Sequence, residues 1–222
     1  MRVLITAGGT SEPVDGVRRL TNTSTGATGA VLAETFAGLG ADVLLLHAEA
    51  ACADEVAVER ESFATFADLE TALRRLLGER RWDAIVHLAA VSDYHVASLE
   101  VDGRQVDTDG RGKIGTGREL VIRLEPNPKL IDSLKQWSAN PETMVVGFKL
   151  TDDPDPGSRA EQVERLMARG VADFVVHNDA SEIDGTRHLA TVHSSDGVVS
   201  QTESKEDLAA ALYRLLAEGR AS

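Results

Sequence analysis

The chain has 222 residues, 42% of them apolar and 27% charged, which is typical of a folded protein with one well-packed domain over residues 1–222. Its formal net charge of −13 would repel a polyphosphate backbone and its 23 Lys and Arg residues form no long basic block, so nucleic acid is excluded as an expected partner. A single cysteine, Cys52, excludes an internal disulfide, and no apolar run approaches the roughly 18 residues that cross a bilayer, so we expect a cytoplasmic protein with no membrane partner.

Apolar runs of strand length alternate with amphipathic segments, which predicts a Rossmann-like, three-layer α/β fold with a mostly parallel sheet. In chain order, the predicted strands are Arg2–Thr6, Asp42–His47, Asp83–Ala89, Met144–Leu150 and Asp173–His177. The predicted helices are Gly26–Leu39, Phe66–Leu77, Pro128–Trp137 and Arg159–Ala168. We also expect an edge strand at Val56–Val58, a hairpin of His188–His193 and Val198–Thr202, and a closing helix at Lys205–Leu216.

The segment between Asp93 and Glu125 interrupts this alternation, because it carries several glycine-containing turn signals. It is too long for an idle connection, so we predict an inserted flap at about residues 95–124. Long insertions at the carboxyl ends of strands are commonly lids or binding loops, which favours a functional flap. An insertion that is merely tolerated is the alternative.

The loop between Ala7 and Gly29 follows the first strand and opens the first long helix, where an α/β fold binds ligands. Ser24 and Thr25 add hydroxyl donors, and Gly26 lets the backbone come close to a ligand. We therefore predict a phosphate-handling loop. The alternative is a set of tight turns and helix caps.

This loop is not a dinucleotide fingerprint, because Gly8 and Gly9 are adjacent and no GxGxxG pattern follows the strand. An NAD(P)-dependent reductase of similar fold remains the alternative function. A binding module without catalysis is a second alternative.

Several separated segments carry a resemblance to a known family. They are ITAGGTSEPVDGVRRLTNTSTG (5–26), AAVSDY (89–94), the Lys113-Ile114 pair, PNPKLI (126–131), VGFKL (146–150) and HNDAS (177–181). Together they resemble phosphopantothenate–cysteine ligase, also called phosphopantothenoylcysteine synthetase, in order through nearly the whole chain. The VGFKL form of the fifth strand and the absence of an attached decarboxylase domain resemble the stand-alone bacterial type.

The resemblance implies a ligase of coenzyme A synthesis. A nucleoside triphosphate, CTP rather than ATP, would activate the carboxylate of 4′-phosphopantothenate as an acyl-nucleotidylate, and cysteine would then displace the nucleotide. The resemblance also implies Mg²⁺ as cofactor, and a homodimer in which the flaps cross between subunits.

The resemblance further assigns roles to residues. Asn22 would hold the acyl-phosphate and carbonyl oxygens, with an Asx turn or helix cap as its structural alternative, and Lys113 would neutralise the triphosphate. The fused relatives carry further lysines after this position, whereas this chain has Gly115 and Thr116. Backbone N–H groups of 115–117 would then take over some phosphate contacts, and Lys149 or Arg111 would add charge.

The other predicted site residues fall into two sets. Those predicted to bind the nucleotide are Gly8, Gly9, Thr10, Asp93, Phe148, Lys149, Asn178 and Asp179. Those predicted to bind the substrate are Arg18, Ser24, Thr25 and Gly26. The six histidines show no common metal-ligand spacing, so no metal site built from protein side chains is predicted.

Overall fold

A computed structural model describes residues 1–53, 56–107, 112–115, 117–182 and 188–219. The strands in these ranges are β1 (Arg2–Ala7), β2 (Ser11–Pro13), β3 (Arg19–Thr21), β4 (Asp42–Ala48), β5 (Glu59–Phe63), β6 (Ala84–His87), β7 (Tyr94–Val101), β8 (Arg104–Val106), β9 (Leu120–Pro126), β10 (Met144–Thr151), β11 (Phe174–Asp179), β12 (Ala190–Ser194) and β13 (Gly197–Thr202). The helices are α1 (Ala27–Gly38), α2 (Phe66–Glu79), α3 (Leu134–Trp137), α4 (Pro156–Met167) and α5 (Lys205–Gly219).

One eight-stranded sheet organises the fold, in the order β13-β12-β11-β10-β6-β1-β4-β5. All pairs from β11 to β5 are parallel, whereas β12 pairs antiparallel with both β11 and β13. The predicted Rossmann-like α/β fold is therefore confirmed. No helix in the described ranges is long and apolar enough to span a membrane.

The central strands are buried on both faces, which explains their nearly continuous apolar sequences. Val3 and Ile5 of β1 point to the face covered by α1 and α5, whereas Leu4 points to the face covered by α2, α3 and α4. Gly29 lets α1 lie against β1, since a Cβ at this position would come within 2.4 Å of the Ala7 Cβ. The result is three layers, with helices on each side of the sheet.

Two local predictions were wrong. The edge strand is Glu59–Phe63 rather than Val56–Val58, because charged side chains suit the outer edge of a sheet while Val56 is buried below it. The helix predicted over Pro128–Trp137 is a 3₁₀ turn at Leu130–Ser133 followed by the short α3.

The predicted flap is an antiparallel sheet of its own, in the order β8-β7-β9. In the described residues its strands pair with one another and not with the main sheet, which the turn signals did not predict. Arg111 and Thr116 lie outside the described residues.

Candidate active site

A cleft of about 1150 Å³ opens at the carboxyl ends of four parallel strands. Gly8 follows β1, Ser92 follows β6, Phe148 lies near the end of β10 and Asn178 near the end of β11. β4 lies on one side of β1 in the sheet and β6 on the other, so the order of the strands reverses at β1. Open α/β sheets bind ligands in the crevice that such a reversal leaves outside the carboxyl ends of the strands.

The first loop forms one wall of the cleft through Ser24, Thr25, Gly26 and Thr28. Gly26 precedes α1 with a φ of 73° and has no side chain to cap the helix, so among the first N–H groups only that of Ala27 has a side-chain acceptor in the described ranges, Thr25 Oγ1 at 3.4 Å. A Cβ at Gly26 would lie 2.7 Å from the Ala51 Cβ, so the loop requires glycine there. The uncapped N–H groups and the helix dipole favour an anion at this wall.

Asn22 lines the same wall and is held by its own backbone and side chain. Its N–H donates to the carbonyl of Thr10 at 3.3 Å, and its Nδ2 donates to the carbonyl of Val91 at 3.2 Å. Gly9 makes this approach possible, because a Cβ there would lie 2.3 Å from the Asn22 carbonyl oxygen. Its second amide hydrogen has no partner among the described residues, so Asn22 retains a donor for a ligand.

The hairpin of β2 and β3 delivers Asn22 to the cleft, and it was not predicted. Its first strand is anchored to α2, since Ser11 N–H donates to the Ala64 carbonyl at 2.9 Å and Glu12 Oε1 accepts from Phe66 N–H at 2.8 Å. Burial raises the pKa of the Glu12 carboxyl, while the bond from Phe66 acts in the opposite direction. These contacts fix the hairpin on the main body of the protein.

Basic side chains dominate the charge of the cleft. The described lining residues that carry positive charge are Lys129, Lys149, Arg165, Arg169 and Lys205, and Asp93 carries the only negative charge among them. Asp93 pairs with Lys129, whereas Lys149 and Lys205 have no ion-pair partner within the described ranges. Two cations in the cleft are therefore left for a ligand.

Of these five basic residues, only Lys149 was predicted. Lys129 lies in the PNPKLI segment, which carries part of the family resemblance but gave no predicted role to its lysine. Arg165 lies in the last turn of α4 and Arg169 just beyond the helix, four residues later, a spacing that in a continuous helix places side chains on one face. That spacing was the available signal, but it is equally typical of a solvated helix surface.

Two predicted nucleotide-binding residues lie beneath the cleft rather than on its surface. Thr10 is buried and its Oγ1 accepts from Ser92 N–H at 2.8 Å. The Asp179 carboxylate accepts from Ser181 Oγ at 2.5 Å and Thr151 Oγ1 at 2.6 Å, and these bonds hold its pKa well below the usual range. In the structure both support the loops, and their predicted contacts with a nucleotide stay predictions.

Asn178 reaches the cleft surface through a hydrogen-bonded corner. Its Nδ2 donates to the Leu189 carbonyl at 3.0 Å and lies 3.2 Å from Nε2 of His188. With its amino group engaged in this way, Oδ1 is the group left to accept a hydrogen bond. Phe148 and Lys149 lie on the neighbouring strand and complete this side of the cleft.

Arg18 and Lys113 do not line the cleft. The Arg18 guanidinium contacts Asp15 Oδ2 at 2.9 Å and the Ile114 carbonyl at 3.3 Å. Lys113 is exposed beside this contact. Their predicted roles in binding stay predictions.

His87 lies at the base of the cleft and is buried, with Nδ1 2.9 Å from Thr6 Oγ1. Burial lowers its pKa to about 4, because an apolar environment disfavours the imidazolium. His87 is thus neutral at neutral pH, and the positive charge of the cleft comes from its lysines and arginines. Within the described ranges, no three His, Cys, Asp or Glu side chains are arranged to hold a metal ion.

Comparison with known proteins identifies the family to which this architecture corresponds. Residues 1–219 match the family described as the DNA/pantothenate metabolism flavoprotein C-terminal domain. The chain belongs to this family. Family membership does not favour the reductase alternative.

Curated relatives of this family member are described as coenzyme A biosynthesis bifunctional protein CoaBC. The protein from Thermococcus kodakarensis is 33% identical over 177 residues, which are 80% of this chain and 41% of the relative. The Escherichia coli K12 protein is 26% identical over 183 residues, which are 82% of this chain and 42% of the relative. The chain therefore spans less than half the length of these relatives.

Solved structures share the fold. The DNA/pantothenate metabolism flavoprotein from Streptococcus pneumoniae is 25% identical, with a TM-score of 0.85 over 98% of this chain and 99% of that one. A Cab2 mutant in complex with phosphopantothenate-cysteine is 19% identical, with a TM-score of 0.72 over 100% of this chain and 89% of that one. At that identity the second likeness concerns the fold alone.

Burial of His87 predicts a specific loss of stability in acid. The unfolded state takes up a proton near pH 6.5 but the folded state only near pH 4, so the free energy of unfolding should fall as pH drops from 6.5 to 4. The loss attributable to His87 should reach roughly 3 kcal/mol below that range. Denaturant titrations of the unmodified chain and of His87→Gln at each pH measure it, since burial also lowers the pKa of other histidines that both proteins retain. Equal pH slopes for the two proteins would contradict the assignment.

Proposed function

We propose that this family member joins 4′-phosphopantothenate to L-cysteine through an acyl-nucleotidylate and releases pyrophosphate. The observation that carries the proposal is a cleft whose described lining holds five basic side chains and Asn22, in a chain of net charge −13. Two phosphorylated substrates need such local compensation. The bifunctional relatives act in coenzyme A biosynthesis, which is consistent with this reaction.

The chemistry requires positioning rather than a nucleophile from the protein. A carboxylate oxygen of phosphopantothenate attacks the α-phosphorus, and pyrophosphate leaves with the electron pair of the broken P–O bond. The cysteine amine then attacks the acyl carbon, loses a proton, and expels the nucleoside monophosphate. In the first step two anionic groups approach each other, and in the second negative charge develops on the acyl oxygen. Cations and dipoles that are oriented towards these groups therefore supply the catalysis.

Asn22 suits the second step. Its spare amide hydrogen would donate to the acyl-phosphate or to the carbonyl oxygen as charge develops there. The hydrogen bonds to Thr10 and Val91 hold the group in place before the substrate arrives. A donor that is already oriented costs no reorganisation during the reaction.

Lys149, Lys205 and the start of α1 are suited to the phosphates. The two lysines have no carboxylate partner in the described part of the chain, so a ligand does not have to break an ion pair to reach them. The hydroxyls of Ser24 and Thr25 add donors at the opposite wall. CTP is the proposed nucleotide, with ATP as the competing candidate.

Mg²⁺ is the proposed cofactor and would arrive with the triphosphate. Asp93 is the one carboxylate in the described lining, and Mg²⁺ commonly binds through one or two carboxylates together with substrate phosphates. These residues fit that mode and not a site held by the protein alone. When bound, the ion would draw charge away from the transferred phosphoryl group.

A second copy of the chain is the proposed partner. Large exposed apolar side chains gather in the flap and the adjacent hairpin, namely Val17, Leu20, Tyr94, Val121 and Leu124. Contact with a partner subunit would bury these side chains. It would also bring Lys113, which does not line the cleft of its own chain, to the cleft of the neighbouring subunit.

Light scattering should give the mass of a dimer, and a monomer at micromolar concentration would contradict this arrangement. The cytoplasmic location stays a prediction.

Asn22→Asp should stop the reaction at its second step. The side chain keeps its size but loses its amide donor and gains a charge that repels phosphate, so turnover should fall by about two to three orders of magnitude. The purified chain with 4′-phosphopantothenate, cysteine, Mg²⁺ and either CTP or ATP should release pyrophosphate continuously, and the variant should give one burst with trapped acyl-nucleotidylate. No release from the unmodified chain with either nucleotide would refute the ligase assignment. Full turnover by the variant, with an unchanged unfolding midpoint, would remove Asn22 from the mechanism.

Lys149→Gln should weaken binding of the triphosphate. A hydrogen bond to a charged group contributes about 1.5–3 kcal/mol, so the KM for the nucleotide should rise by roughly tenfold or more. Lys135→Gln is the matched control, because it removes the same charge from a lysine that pairs with Asp173 and does not line the cleft. Steady-state kinetics of both variants decide the matter. Equal KM values would show that net charge, and not the position of Lys149, matters.

A further inference from the structure

The turn between β2 and β3 is hydrogen-bonded to the flap on both sides of Lys113. Gly16 N–H donates to the Gly112 carbonyl at 2.6 Å, and Ile114 N–H donates to Asp15 Oδ2 at 3.1 Å. The backbone is thus held before and after the lysine, while the lysine side chain is exposed.

Asp15 is the centre of this contact, and its side chain is only 3% exposed. Oδ1 accepts from the N–H groups of Val17 and Arg18 at 2.9 and 2.8 Å. Oδ2 accepts from Arg18 Nη1 at 2.9 Å as well as from Ile114. Backbone bonds, first that from Val17, lower the pKa of the carboxyl, so the acceptor form is present at neutral pH.

Three of these four bonds are local to the turn and are ordinary for an aspartate there. The fourth comes from the flap, and Arg18 adds a second link through Nη2 and the Ile114 carbonyl at 3.3 Å. The turn would keep its shape without either link. Their effect is therefore on the flap.

Glycine at the contact shows how closely the two segments approach. A Cβ at Gly16 would lie 2.4 Å from the Gly112 carbonyl oxygen, and Gly112 itself has a φ of 75°. With Gly112 and Gly115 on either side, the backbone around Lys113 has wide conformational freedom unless it is anchored.

We propose that Asp15 is a positioning residue that presents Lys113 to the anionic substrate of the neighbouring cleft by fixing the flap to the hairpin that ends at Asn22. The proposal rests on the proposed function. The same hairpin is anchored to α2 through Glu12, and its end is held by the hydrogen bond from Asn22 N–H to the Thr10 carbonyl. The flap lysine and the Asn22 amide are therefore fixed to one rigid support.

Asp15→Asn separates the bonds within the turn from the bonds to the flap. Asparagine can keep its oxygen toward the turn amides, but its amino group then faces the Ile114 N–H and the Arg18 guanidinium, which are donors. Asp102→Asn is the matched control. Asp102 accepts from Glu119 N–H at 3.1 Å elsewhere in the flap, and its φ of 50° suits asparagine equally well.

Hydrogen exchange is the first arm of the test and needs no activity. The Ile114 amide should exchange at least about tenfold faster in Asp15→Asn and at an unchanged rate in Asp102→Asn. Unchanged exchange in Asp15→Asn would overturn the proposal.

A double-mutant cycle is the second arm. Asp15→Asn and Lys113→Ala should each lower kcat/KM for the nucleotide, and the double variant should fall no lower than Lys113→Ala. Losses that multiply would show that Asp15 acts independently of Lys113 and would overturn the positioning role. If the unmodified chain releases no pyrophosphate, the proposed function fails, and faster exchange at Ile114 alone still supports the anchoring of the flap by Asp15.

Discussion

Long-range charge sets the first requirement for this cleft, because a chain of net charge −13 repels the anions that the proposed reaction would bring to it. Local groups must outweigh that field. The fold meets this requirement by placing the ends of four parallel strands and the uncapped start of α1 around one cleft, with lysines and arginines from β10, α4 and α5 and their flanking segments. Lys149 and Lys205 have no ion-pair partner within the described ranges, so a ligand reaches them without displacing a carboxylate.

Catalysis by positioning makes demands on the residues behind the site as well as on those at its surface. Gly9 and Thr10 place the Asn22 backbone, and Asp179 holds the loop that follows β11 through Thr151 and Ser181. The hairpin of β2 and β3 connects these supports with the flap. Sequence motifs of the family mark these supports together with the residues that would touch substrate, which is why motif matching alone does not separate the two roles.

The parallel sheet was predictable because each buried strand is nearly all apolar and each helix repeats at three and four residues. Strands β2 and β3 were not, since three residues are too few to show a period. Four basic residues were missed because a cleft-facing cation and a solvated one look alike in sequence, namely Lys129, Arg165, Arg169 and Lys205. Lys113 was predicted at the site, yet the backbone of its neighbours Gly112 and Ile114 is bonded to Gly16 and Asp15, a tertiary contact that no local pattern encodes.

Transfer of carboxylate oxygen to the nucleotide distinguishes an acyl-nucleotidylate from other activated forms of the carboxylate. The purified chain carries out one turnover of 4′-phosphopantothenate labelled with ¹⁸O in both carboxylate positions, in the presence of cysteine, Mg²⁺ and CTP. Mass spectrometry then measures the masses of the products. Attack of the carboxylate on the α-phosphorus predicts one ¹⁸O in the nucleoside monophosphate and one in the amide product. Two results would contradict the acyl-nucleotidylate and the proposed roles of the cleft residues. One is ¹⁸O in inorganic phosphate, and the other is formation of the amide product together with an unlabelled nucleoside monophosphate.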